Sequence, residues 1–159
     1  MLVIKTKKLH ENAQIPVFKT TGACAADIYC TEVELLDRNR EVIDVWDQYF
    51  SPMNAMFVRY KLGLAFEIPE GYGMLLLPRS SIIEKDLDLT NCVGLIDTDY
   101  RGEISAVFRL QKPGYEIYKV GERCCQLLII EVPKVSFIES DELSETTRNT
   151  GGYGSTGNS

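Results

Sequence analysis

The sequence predicts an all-β antiparallel fold (a sandwich, jelly roll or barrel), and three observations predict it. Apolar residues recur at every second position over most of the chain, the period of half-buried strands. Glycine- and proline-bearing turns, IPEGYG, LQKPGYE and VGER, interrupt these runs. Helical periodicity is scarce. The chain has 159 residues, 45% apolar and 25% charged, which suits one domain that buries its own core without a disulfide or structural metal.

From the N-terminus, MLVIKTKKL and ADIYCTEVEL are strand candidates. Residues 36–50 follow, charged and carrying the only tryptophan, Trp46, and read as an extra hairpin or long loop. MFVRYKLGLAFEIP alternates Met56, Val58, Tyr60, Leu62, Leu64, Phe66 and Ile68 against Arg59, Lys61 and Glu67, the pattern of one long strand. GYGMLLLP is a further strand. SSIIEKDL offers a helical turn, because Ser81 and Glu84 have capping-box spacing. ISAVFRL sets Ile104, Ala106, Phe108 and Leu110 against Ser105 and Arg109, and YEIYKV is a strand candidate. CQLLIIEVP is apolar on both faces and belongs between layers. SDELSETT suggests a turn, and beyond about Glu139 the composition turns polar and ends in RNTGGYGSTGNS.

Composition excludes several function classes. The net charge of -6 argues against a nucleic-acid footprint, although a few focused arginines can still bind a small phosphate ligand. Five cysteines, an odd count without metal-site spacing, read as reduced, mostly buried thiols, with Cys124 and Cys125 on opposite faces if they share a strand. A single histidine, His10, leaves no basis for a zinc hydrolase or a histidine triad. No apolar run approaches the ~20 residues of a membrane span, and the N-terminus is too short for a signal core, so no membrane partner and a cytoplasmic location, or a nuclear one in a eukaryotic host, are expected.

Three segments carry chemistry. In GLIDTDYRGE, Asp97 and Asp99 sit two apart near turn residues; they suit an acidic hairpin tip paired with Arg101, or a carboxylate acting as general base on water. In LLLPRSSIIEK, Arg79 and two serines open a capped turn, where hydroxyls, amides and a guanidinium either cap the turn or bind phosphate. RNTGGYGSTG combines an arginine, four glycines, hydroxyls and Tyr153, which suits a backbone wrapped around phosphates with an aromatic face for a base. It lacks the Gly-Lys-Ser/Thr ending of a P-loop.

In order, CAADIY, PRSS, NCVGLIDTDYRGE, GERCCQL and RNTGGYGSTG resemble the five motifs of the trimeric dUTPase family, with residues 36–50 inserted between the first two. The resemblance implies a distorted jelly-roll β-sandwich over residues 1–138, a flexible arm over 139–159, a homotrimer with shared sites, Mg²⁺ as cofactor, and hydrolysis of dUTP to dUMP and pyrophosphate. That activity would keep uracil out of DNA and supply dUMP. By resemblance Asp97 is the general base, and Asp27 supports the metal through water. Arg79, Ser80, Ser81, Gln126, Arg148, Gly154, Ser155 and Thr156 meet the phosphates. Asn91 and the backbone of Gly94, Leu95 and Ile96 read uracil, Tyr100 packs under the deoxyribose, and Tyr153 stacks on the base. Ala25, Asn149, Tyr153 and Cys125 depart from the family's commoner residues without removing a catalytic group; Asn149 stands where glycine is usual, in the closing arm.

Two rival functions follow. The related dCTP deaminases resemble this fold but place a catalytic glutamate where Val107 stands, and an aliphatic side chain shuttles no proton. A dUTPase with an added regulatory role is the other, since Trp46, Tyr49 and Phe50 would form an aromatic anchor for a protein partner if the 36–50 insertion exposed them.

Overall fold

The computed structural model describes residues 2–46, 54–111 and 116–152. Its strands are β1 (Lys5–Lys8), β2 (Ala26–Tyr29), β3 (Glu32–Leu36), β4 (Val42–Val45), β5 (Phe57–Lys61), β6 (Leu64–Glu67), β7 (Tyr72–Pro78), β8 (Leu87–Leu89), β9 (Gly94–Ile96), β10 (Ser105–Leu110) and β11 (Arg123–Glu131). They form a five-stranded sheet ordered β4-β3-β5-β10-β8, a four-stranded sheet ordered β2-β11-β7-β9, and the pair β1-β6. Every pairing is antiparallel.

The alternation read from the sequence explains the layers. Val33, Leu35, Val58, Tyr60, Ala106 and Phe108 from the larger sheet share one core with Ile28, Met74, Leu76 and Leu127 from the smaller one. Tyr60 is fully buried between Phe108 and Tyr118, its ring edge-on to both at 5.5 and 5.9 Å. Its hydroxyl accepts the Tyr118 amide at 3.0 Å, and burial pushes its pKa well above the usual phenol value.

The predicted long strand over 56–68 is two strands. The break is Gly63, at φ +64°, where an added Cβ would lie 2.9 Å from Ala13 Cβ, His10 Cβ and Thr31 Cγ2. The apolar alternation continues across the corner because both strands face the same core, so period alone does not reveal the turn. The chain passes there from the five-stranded sheet into the pair with β1.

YEIYKV is not a strand over its described residues, 116–120, although Ile117 and Tyr118 are buried. Side chains hold its amides in place of a neighbouring strand: Glu116 N–H donates to Asp86 Oδ2, Tyr118 N–H to Tyr60 Oη and Lys119 N–H to Glu122 Oε2. The turn at SSIIEKDL is a short 3-10 helix over Ser80–Glu84 with Arg79 at its N-cap and no side-chain cap, so the capping box does not form.

Cys124 and Cys125 do not point to opposite faces: both are fully buried. A register shift between Arg123 and Cys125 inserts one extra residue opposite β2, a bulge that interrupts the alternation. The segment 36–46 supplies the turn and second strand of the β3–β4 hairpin, and β4 is one outer strand of the larger sheet. Trp46 packs partly buried against the core, which removes it as an exposed anchor; Tyr49 and Phe50 lie outside the described residues.

Candidate active site

The predicted site residues that the structure brings together fall into two separate groups. The first lies at a cleft of about 240 Å³, lined by Leu76, Asn91, Gly94, Leu95, Ile96, Asp97, Tyr100, Glu103, Ile104 and Ser105. One wall is β9, which pairs with β7 through Leu76↔Gly94, Leu75↔Leu95 and Met74↔Ile96. Its other backbone edge has no strand against it among the described residues. Gly94 is packed closely, since a Cβ there would lie 3.1 Å from that of Leu76. Leu95 points outward at 61% exposure, while the Ile96 side chain belongs to the core. The third motif is not a closed hairpin of two mutually paired strands: β8 lies in the larger sheet and β9 in the smaller one, joined by a turn with Cys92 at φ +62°.

Beyond β9 the chain turns at Asp97, whose carbonyl accepts the Tyr100 amide at 3.3 Å. The Asp97 side chain is exposed and has no hydrogen-bond or ion-pair partner among the described residues. Of the two aspartates here, only Asp97 lines the cleft. Arg101 does not pair with either; its guanidinium donates to the carbonyls of Thr98 and Tyr100, at 2.5 and 3.0 Å, and stiffens the turn. Tyr100 donates its hydroxyl to Glu103 O at 3.1 Å. Glu103 in turn accepts the Gly63 amide on its carboxylate at 2.9 Å, tying this loop to the β5–β6 corner.

The second group lies on the outer face of the smaller sheet. Asp27 and Gln126 are cross-strand partners there, and the bulge in β11 sets Arg123 and Gln126 on this one face. Asp27, with its side chain 13% exposed, accepts Arg79 Nε at 3.1 Å on one oxygen and Arg123 Nη1 at 2.7 Å on the other. Two guanidiniums on one carboxylate leave a net positive charge. Arg79 Nη1 also donates to Ser81 Oγ at 3.0 Å and to the Arg123 carbonyl at 3.2 Å. Gln126 donates to Pro78 O at 3.0 Å. Ser80 is exposed, while Ser81 stands behind Arg79 with its hydroxyl 3.3 Å from Tyr118 Oη. Arg79, Ser81, Lys85, Tyr118 and Arg123 line a cleft of about 330 Å³, which shares no lining residue with the first.

Arg148 is exposed, and its guanidinium donates to Gly151 O at 3.1 Å within its own turn. That turn places Asn149 at φ +43°, a left-handed conformation asparagine tolerates, so the usual glycine is not required. Tyr153, Gly154, Ser155 and Thr156 lie outside the described residues.

Arg123 and Glu103 escaped sequence reasoning. Arg123 lies within the quoted GERCCQL, and only the bulge, invisible in the pattern, turns it toward Asp27. Among the described residues no three His, Cys, Asp or Glu side chains converge as a metal cage.

A family model described as dUTPase matches residues 45–157. The chain is 37% identical over 152 residues to a deoxyuridine 5'-triphosphate nucleotidohydrolase from Hydrogenobaculum, covering 95% of each chain. The fold is similar to that of Staphylococcus bacteriophage 80alpha dUTPase solved with dUpNHpp, at a TM-score of 0.76 and 23% identity over 99% of each chain. It is also similar to a substituted dUTPase of phage phi11 of S. aureus, described with a structural Mg(II) ion, at a TM-score of 0.68 and 20% identity over 89% of this chain and 98% of that one.

Proposed function

Because the chain belongs to the dUTPase family and is an enzyme that hydrolyses dUTP to dUMP and pyrophosphate, we propose that Asp97 is its general base. The carboxylate orients and deprotonates the water that attacks the α-phosphorus in line, and pyrophosphate leaves. One observation carries this assignment: Asp97 is exposed at a cleft and has no competing partner among the described residues. Asp27, by contrast, already has an arginine on each carboxylate oxygen.

The unpaired edge of β9 supports a uracil-reading role for Asn91 and the backbone of Gly94, Leu95 and Ile96. Amide and carbonyl groups there can meet a pyrimidine's pairing edge as a neighbouring strand would. Tyr100, held by Glu103, offers a fixed ring for the sugar, leaving no room for a 2′-hydroxyl. On the other face Arg79, Ser80 and Gln126 bind the phosphate chain, with Ser81 beside them. Arg148, Gly154, Ser155 and Thr156 bind the γ-phosphate, and Tyr153 stacks on the base.

Mg²⁺ is the proposed cofactor, held by the triphosphate and water. The residues fit this mode: each Asp27 oxygen accepts one arginine and keeps lone-pair capacity for water. When bound, the ion offsets charge developing on the phosphates.

A homotrimer with shared sites is proposed for two reasons. The base-and-sugar cleft and the phosphate face are separate clefts on one chain. The segment beyond β11 forms no strand over its described residues and leaves Phe137 95%, Ile138 85% and Leu143 89% exposed, side chains that a neighbouring copy would cover. Residues 139–159 then act as the arm that completes a neighbour's site.

The test is Asp97→Asn, assayed by pyrophosphate release and by dUpNHpp binding. Turnover is expected to fall about 10²- to 10⁴-fold with analogue binding retained. Turnover near that of the native enzyme would remove Asp97 from this role.

A further inference from the structure

We propose that Tyr118 is a positioning residue for Arg79, acting through the hydroxyl of Ser81; this rests on the reading that Arg79 contacts the phosphate chain. An arginine side chain has five N–H donors. Three are committed here: Nε to Asp27, and Nη1 to Ser81 Oγ and to the Arg123 carbonyl. Nη2 has no partner among the described residues and is the edge left for an anion.

What keeps Nη1 turned inward is a line of groups leading into the core. Ser81 Oγ accepts from Arg79 and meets Tyr118 Oη at 3.3 Å, so the tyrosine hydroxyl sets the serine rotor. Tyr118 is itself fixed. It is 3% exposed, its amide donates to Tyr60 Oη at 3.0 Å, its ring stands edge-on to Tyr60, and the Lys85 ammonium lies 5.4 Å above that ring. Tyr60 is fully buried. The guanidinium plane is thus anchored on one side by an ion pair and on the other by a hydroxyl relay. Without Tyr118 Oη the serine can rotate, and Arg79 is held by Asp27 and a carbonyl alone.

Tyr118→Phe removes the oxygen and keeps the packed ring. The dissociation constant of dUpNHpp is expected to rise about three- to tenfold, the scale of one lost hydrogen bond, while that of deoxyuridine, which has no phosphate, stays unchanged. KM for dUTP is expected to rise by a similar factor with kcat within about twofold. In an Arg79→Lys background, which lacks the fork, Tyr118→Phe should add nothing. Equal weakening of deoxyuridine would mean general loosening and overturn the proposal. So would unchanged dUpNHpp affinity in Tyr118→Phe when Arg79→Lys is impaired. Full phosphate-dependent affinity in Arg79→Lys would instead overturn the role of Arg79 on which the proposal rests.

Discussion

Tyr100 is folded over Gly102 so closely that a methyl group at Gly102 would lie 2.6 Å from Tyr100 Cζ and 3.0 Å from Cε2. The glycine is the floor on which the ring lies, and the Glu103 carbonyl is the catch for its hydroxyl. Gly102→Ala must therefore lift the ring. If the ring packs under deoxyribose, Gly102→Ala and Tyr100→Ala should both narrow the preference for dUTP over UTP, by about tenfold or more in the ratio of kcat/KM values. An unchanged ratio in both variants would dissociate this ring from sugar selection.

The corner at Gly63 makes a stability prediction. A side chain there meets both a left-handed backbone, at about 1–2 kcal/mol, and three carbon atoms at 2.9 Å. Gly63→Ala should lower unfolding free energy by about 2–4 kcal/mol, read from the urea midpoint at constant m. A midpoint within error of the native one would show that the corner relaxes freely.

Glu32 and Lys61 are cross-strand partners, 2.9 Å apart, with side chains about one-third exposed. The hydrogen bond from Lys61 holds the Glu32 carboxyl below its ordinary 4.5, and the same contact raises Lys61 above 10.5. The stabilisation from Glu32 is complete above pH 4.5 and fades as pH falls through the lowered value. That from Lys61 is complete below pH 10.5 and fades as pH rises through the raised one. In Glu32→Gln the melting temperature should decline less steeply at both extremes, by a small amount given the exposure. An acid limb as steep as the native one would place the titrating group elsewhere.

Truncation after Glu145 removes Arg148 and the glycine-rich end. The remaining chain contains every strand found among the described residues and should melt as the full chain does, yet hydrolyse dUTP at a very small fraction of its rate. Near-native hydrolysis would take the arm out of the site.

The strand content and the side-chain facing of β10 were legible because alternation reports burial directly, as Ala106 and Phe108 show. The corner at Gly63 was not, since apolar side chains on both sides of it reach the same core. Nor was the bulge before Gln126: two adjacent cysteines read equally well as alternating neighbours. The segment holding Tyr118 looked like a strand because its residues are apolar and β-prone; the Glu116 and Tyr118 amides are satisfied by Asp86 and Tyr60, side chains far away in sequence, which no local pattern records. Asp97, Arg79 and Asp27 were legible as chemistry-bearing types in recognisable motifs. That Asp27 is bound by two arginines was not, because Arg79, just past the end of β7, and Arg123, at the start of β11, are far apart in sequence.

The extra residue between Arg123 and Cys125 gives β11 an unusual tolerance. In an ordinary central strand, losing one amino acid exchanges the wet and dry sides of everything that follows. Here the ladder already counts two residues against one, so excising Cys124 would restore regular pairing with Arg123 still opposite Tyr29 and Gln126 still opposite Asp27. Smoothing the strand without shortening it would do the reverse, sending the glutamine inward and a thiol out among the arginines. Chain length at this point decides whether an amide or a thiol stands beside Asp27.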